Sequence, residues 1–222
     1  VSTLADLRKR FYARFDEQGQ AYIGTDEANS LLNEGAAQLH NWLVTEGEAY
    51  VWQETVVPFV AQQADYPLPA TLLKLLKVFA SSPVSPGTLM PLPRIMPQEY
   101  RGGSFANPAA YSLHQPRGYM MMGQTLRIVP TPSQSAGSVT LWWAPQYQPL
   151  VADTDTTPLS MFVGSLEFII NQAVIGARLK EESDTTALER RQAQILQMIQ
   201  QTLINRDMGQ HSRVVDASGP CL

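Results

Sequence analysis

The order of hydrophobic periods along these 222 residues predicts a mixed α+β chain: helices at both ends, a β-rich middle and an extended C-terminal arm. Three observations carry that prediction. Apolar residues recur at helical spacing over residues 25–46 and again from residue 161 onward. Between them lie short runs rich in aromatic and β-branched residues, broken by prolines. After Arg206 no period of either kind remains. The predicted division is a first helical part at 1–47, a β-rich insertion at 48–160, a helical hairpin at 161–205 and an arm at 206–222. Neither helical end can bury its stripe alone, so the two are expected to form one bundle.

In chain order, Leu4, Leu7, Phe11 and Phe15 form the apolar face of a first helix, with Arg8, Lys9, Arg10 and Arg14 mostly off it. Those four cations are too few for tight non-specific nucleic-acid binding in an acidic protein, and they suit a salt-bridge face toward another protein or subunit at least as well. Thr25 is the expected N-cap of the next helix, with Asp26 and Glu27 in its first turn, where the helix dipole favours acids. Its stripe is Ala28, Leu31, Leu32, Gly35, Leu39, Trp42 and Leu43. AYVWQETVVPFV then reads as a strand ending near Pro58. Pro67 and Pro69 argue against a regular element there, and Leu75, Lys77 and Phe79 predict a strand after a short helical turn. Residues 81–97 carry Pro83, Pro86, Pro91, Pro93 and Pro97, which predicts an irregular excursion with little backbone pairing. QEYRGG reads as a brief helix. AYSLHQ, TLRIVP and SVTLWWAPQ are strand candidates, the last two joined by PTPSQSAGS as a hairpin-type turn. A helix over 161–181 follows. Asp184, or a capping box of Thr186 with Glu189, starts the last helix. In it Leu188, Ile195, Leu196, Ile199 and Leu203 face inward. Gln192, Gln194, Gln197, Gln200 and Gln201, with Arg190 and Arg191, make the other face.

Composition narrows the function classes. Charged residues are 16% of the chain, below the roughly 25% usual for soluble domains, which hints at surface covered by neighbours. A net charge of −4 argues against gripping nucleic acid through its phosphates. The one cysteine, Cys221, allows neither an internal disulfide nor a cysteine metal site. No apolar run reaches the ~20 residues of a membrane span. The start, VSTLADLRKRF, has no signal-peptide core, so synthesis in the cytoplasm is expected.

Catalytic patterns are missing. His40, His114 and His211 lie far apart and no pair has zinc-site spacing. No nucleophile-elbow, zinc-protease or phosphate-loop motif occurs. Asp153 and Asp155 lack the further ligands of a calcium loop, and solvation or capping accounts for them. The expectation is a protein that is not an enzyme and needs no cofactor. Glu181, Glu182 and Asp184 form an acidic cluster, read either as a solvated turn or as a negative spot facing a DNA channel. Met120, Met121 and Met122 are core filling or an adaptable contact surface. Trp142 and Trp143 alternate across a strand, so one of them points away from the local core unless both faces are covered.

TDEANSLLNEGAAQLHNWLV, then DYPLPATLLKLLKV, then LRIVPTP with VTLWWAP, then KEESDTTALERRQAQILQMI and INRD follow the element order of the head–tail connector (adaptor) proteins of tailed double-stranded-DNA bacteriophages. The chain resembles that family over most of residues 22–216, on short phrases such as YPLPA and KEESDT rather than on an active-site motif. The resemblance implies a structural virion protein, assembled in the host cytoplasm, that forms a ring of itself, typically of twelve copies. The ring would dock under the portal protein, meet tail or stopper and nozzle proteins, and let genomic double-stranded DNA pass without sequence-specific binding; no membrane is involved. Carried onto this chain, Arg190, Arg191, Gln194, Gln197 and Gln201 fall on a subunit-interface helix. Arg206, His211, Arg213, Val214 and Val215 fall on a portal-binding arm, and Glu181, Glu182 and Asp184 on the channel side. The rival reading is an aromatic-lined ligand- or carbohydrate-binding module using Trp52, Tyr119, Trp142 and Trp143.

Overall fold

A computed structural model describes residues 2–15, 22–46, 51–82, 85–96, 98 and 116–206. The protein is mixed α+β, with four α-helices and antiparallel sheets among the described residues, in two compact units. Residues 1–46 and 147–222 make a helical unit; residues 47–146 make a β unit.

In the helical unit, α1 (Leu4–Phe15) starts from a reciprocal cap. The Thr3 N–H donates to the Asp6 carboxylate at 3.1 Å, and the Asp6 N–H donates to the Thr3 hydroxyl at 3.2 Å. Leu4, Leu7, Phe11 and Phe15 are buried, as their spacing requires. In α2 (Thr25–Glu46) the first carbonyl to accept is that of Gly24, from Ala28, so Gly24 rather than Thr25 caps the helix. The last two helices are α3 (Ser165–Lys180) and α4 (Thr186–Arg206). The helix expected over 161–181 begins only at Ser165, because a 3₁₀ turn over Pro158–Met161 and Gly164 at φ 89° precede it. A left-handed φ is the province of glycine, and it redirects the chain into α3.

α3 is the helix against which α1, α2 and α4 pack. At Gly35 a Cβ would lie 2.9 Å from the Ile169 carbonyl, so the missing side chain is what lets α2 approach α3 closely. The segment returning to the helices is clamped by Asn33, which accepts from Tyr147 Oη and the Leu150 N–H and donates to the Leu150 carbonyl.

The β unit holds two antiparallel sheets. Their strands are β1 (Gln53–Pro58), β2 (Asp65–Pro67), β3 (Leu72–Ser82), β4 (Ser85–Pro91), β5 (Gly118–Met122), β6 (Thr125–Val129) and β7 (Ser138–Pro145). One sheet runs β1-β7-β3-β4 and the other β2-β6-β5. Val78, Leu141 and Trp143 of the first share a core with Tyr66, Leu126 and Ile128 of the second.

Four expectations are corrected here. Residues 81–97 are not wholly irregular: β4 pairs with β3. As an edge strand it leaves one row of backbone groups unpaired, so its prolines remove few ladder bonds. Asp65–Pro67 is a short strand for the same reason, on the edge of its sheet. Where a turn of helix was expected, the chain enters β3 from a single hydrogen-bonded turn, in which the Leu72 N–H donates to the Pro69 carbonyl at 3.0 Å. TLRIVP and SVTLWWAPQ do not form a hairpin, since β6 pairs with β2 and β5, and β7 with β1 and β3. The hairpin partner of β6 is the methionine strand β5, joined through Gly123 at φ 61°. AYSLHQ lies outside the described residues, as does all of QEYRGG except Gln98.

Candidate functional site: the outer face of the last helix

α4 owes its two faces to spacing. Gln192, Ile195, Ile199 and Leu203 recur every three or four residues and are buried. Arg190, Arg191, Gln194, Gln197 and Gln201, the predicted interface set, are all exposed. Gln192 does not belong with them. It accepts from Asn171 Nδ2 at 2.8 Å and donates to the Phe168 carbonyl and Gln172, forming an internal amide link between α3 and α4. Asn171 itself is fully buried, and its Oδ1 finds no partner among the described residues.

Along the exposed side runs an open groove of about 600 Å³, lined by Ala187, Arg190, Arg191, Gln194, Ile195 and Met198. Met198 is 41% exposed and leans toward Gly164, where a Cβ would meet its Cε at 2.5 Å. Ala187, Ile195 and Met198 were not foreseen as part of this face; the spacing 187, 190, 191, 194, 195, 198 is the signal that would have found them.

Charge is held beside the groove by a shared carboxylate. Glu167 accepts from Arg14 at 2.7 Å and from Arg191 at 3.4 Å. The Arg14 bond is the main cause of a Glu167 pKa below the ordinary carboxylate range. One nitrogen of Arg14, Nη1, is buried without a hydrogen-bond partner among the described residues. Arg8 likewise pairs within the chain, with both Asp153 oxygens at 2.9 and 3.1 Å. The expected outward salt-bridge face of the first helix therefore loses Arg8 and Arg14 to internal partners, leaving Lys9 and Arg10 exposed.

The acids of the α3–α4 turn are together, and two of them have local work. Glu181 pairs with Arg178 at 3.0 Å. Asp184 accepts from the Thr186 N–H and hydroxyl, which lowers its pKa, but the first carbonyl to accept in α4 is that of Thr185, from Glu189, so Thr185 is the cap and neither Asp184 nor a Thr186–Glu189 box takes that place. The Thr185 hydroxyl donates to Glu189 instead. Glu182, at φ 55°, is exposed. The Arg206 side chain, His211, Arg213, Val214 and Val215 lie outside the described residues.

Other candidate chemistry divides plainly. Asp155 accepts from the N–H groups of Val151 and Ala152, and its pKa falls for that reason. His40 is buried beside Tyr147, whose hydroxyl is pushed up to about 12 by burial. His114 and His211 lie outside the described residues. Among the described residues no cluster could hold a metal ion, and no helix is long and apolar enough to cross a membrane. The four aromatics of the rival reading do not share a face. Trp143 and Tyr119 are buried, whereas Trp52 and Trp142 line a hollow of about 300 Å³ with Gln53 and Glu54. The two adjacent tryptophans thus point to opposite faces of β7, as alternation requires. Met120 is core, and Met122 is 49% exposed.

A model of the SU10 adaptor protein family matches residues 2–219, nearly the whole chain. The chain belongs to the SU10 adaptor protein family. No curated protein matches it. Membership implies a structural adaptor of the phage virion that contacts other head or tail proteins, in agreement with the resemblance carried by YPLPA and KEESDT. The exposed Arg/Gln face of α4 is the polar surface that borders the open groove.

Proposed function

We propose that this SU10-family adaptor assembles as a ring, of about twelve copies by resemblance to its family, beneath the portal protein. The ring continues the DNA channel and gives tail, stopper or nozzle proteins their attachment surface. It acts without catalysis, cofactor or sequence-specific DNA contact, in particles assembled in the host cytoplasm. The observation that carries this reading is the outer face of α4: exposed arginines and glutamines around an open groove, in a chain whose family is an adaptor family. Neutral amides suit an interface repeated around a ring, because they donate and accept without fixing one charged partner. Arg190, Arg191, Gln194, Gln197 and Gln201 then lie between subunits. Glu182, the exposed acid of the α3–α4 turn, faces the passing DNA, with Glu181 and Asp184 beside it. The arm, residues 206–222 with Arg206, His211, Arg213, Val214 and Val215, reaches along the portal and orders on binding. The β unit, with its proline-rich segment 81–97, faces the tail.

The test is to add purified protein to DNA-filled, tailless heads and image the vertices by negative stain. A ring at the portal vertex is expected, and loss of it on deleting residues 207–222. Vertices left bare by the full-length protein would overturn the ring reading; undiminished binding after the deletion would overturn the arm's role.

A further inference from the structure

α2 and α4 both pack on α3 but on different flanks of it, α2 against Ile169 and Gly176, α4 against Glu167, Phe168 and Asn171, with Gln172 between them touched by both. The two run in the same direction, because each is antiparallel to α3. Glu27 near the start of α2 meets Lys180 at the end of α3 at 2.7 Å, while Gly35 lies against Ile169. Leu188 and Gln192 near the start of α4 meet Asn171. One turn of α3 therefore lies beside Gly35 on one flank and beside Arg191 and Gln192 on the other.

The outward stripes of these helices carry opposite charge. On α2 the exposed stripe is Asp26, Ser30, Glu34, Gln38, Asn41 and Thr45, acidic toward its start. On α4 it is Arg190, Arg191, Gln194, Gln197 and Gln201, basic toward its start. Glu34 adjoins Gly35 and Arg190 adjoins Arg191, so the exposed acid and the exposed cation stand at the same height on two flanks.

We infer that the occupant of the α4 groove is α2 of a second copy of this chain, with Glu34 of one copy set against Arg190 of the next. The inference rests on the ring reading and names its contact. A rotation about an axis parallel to the helices repeats the subunit without changing height, and so brings an acidic flank to a basic one. The contact is head-to-tail, using two different patches, which is the kind that closes into rings. Gln194 and Gln197 then meet Gln38 and Asn41 farther along, amide against amide, and Ile195 and Met198 supply the apolar floor.

Charge exchange on the full chain tests this, read by sedimentation equilibrium up to the solubility limit. Wild type is expected to self-associate, less strongly as salt rises. Glu34→Arg and Arg190→Glu should each weaken association by at least about tenfold, since each sets like charges face to face. Mixing the two single variants, or combining both changes in one chain, should restore it. Both side chains are exposed, and unchanged thermal melting separates lost contact from lost fold. Single variants that associate like wild type would overturn the pairing, as would failure of the mixture and the combined variant to recover, or a wild type that stays monomeric throughout. Rings scored separately on tailless heads keep the two readings apart: rings formed equally by all variants would sink this contact and leave the ring itself standing.

Discussion

The helical unit and the β unit are held together by different kinds of contact. In the helical unit, polar groups are taken inside: among the described residues His40, Thr157, Ser165, Asn171, Thr185 and Gln192 are buried there, against Thr140 in the β unit. Ion pairs follow the same division among the described residues. Arg8–Asp153, Arg14–Glu167, Arg178–Glu181, Lys180–Glu27 and Arg191–Glu167 tie the helical unit, and Arg127–Asp65 the β unit. The β unit relies on apolar area shared between its sheets, from Tyr66, Leu126, Ile128, Leu141 and Trp143. Buried polar partners fix register at a cost in stability, whereas apolar area stabilises without fixing register so strictly. The difference fits a helical frame whose α3–α4 register sets the height of an exposed face.

Truncations should break this comparison in unequal steps. Trp143→Ala removes a large core side chain and its 3.0 Å bond to Thr55, and should lower stability by about 3–5 kcal/mol in urea melts. Gln192→Ala leaves buried Asn171 short of a partner and should cost about 1–3 kcal/mol. A smaller effect for Trp143→Ala than for Gln192→Ala would reverse the reading of the two units.

Acid should sharpen it with a smaller effect. Asp6, Asp153, Asp155, Glu167 and Asp184 in the helical unit have folded pKa values below their ordinary ones, through hydrogen bonds to Thr3, Arg8, backbone N–H groups, Arg14 and Thr186 respectively. Asp65, bound to Arg127, is the β-unit counterpart. A depressed carboxylate contributes stability that is fully present above its unfolded pKa, about 4, and is lost as pH falls through the folded value. In a Trp42→Phe variant, whose remaining tryptophans Trp52, Trp142 and Trp143 all lie in the β unit, the helical circular dichroism signal should therefore fall below about pH 4 before the tryptophan emission shifts. The two signals changing together, or the emission first, would contradict it.

Much of this was legible in the sequence, and the misses have physical causes. α1, α2 and α4 follow from apolar stripes because an amphipathic helix writes its burial into its spacing. The caps were less legible. Gly24 caps α2 with no side chain to announce it, and Thr3 pairs with Asp6 just ahead of the first apolar residue. β4 was hidden by its prolines, since position on a sheet edge is a tertiary fact. The β6–β7 connection looked like a hairpin because a turn signal does not say which sheet the next strand joins. Gln192 was hidden among glutamines, and only the three-and-four spacing with Ile195 and Ile199 marks it as inward-facing.

The central claim is that the outer face of α4 is covered when the protein is in the virion. Met198 reports on it directly, being exposed in the chain and part of the groove, with exposed Met122 of β5 as an internal reference. Oxidative footprinting read by mass spectrometry should show Met198 oxidised in the free protein, kept monomeric by dilution and high salt, and protected in assembled particles. Equal oxidation of Met198 in both states would contradict the account.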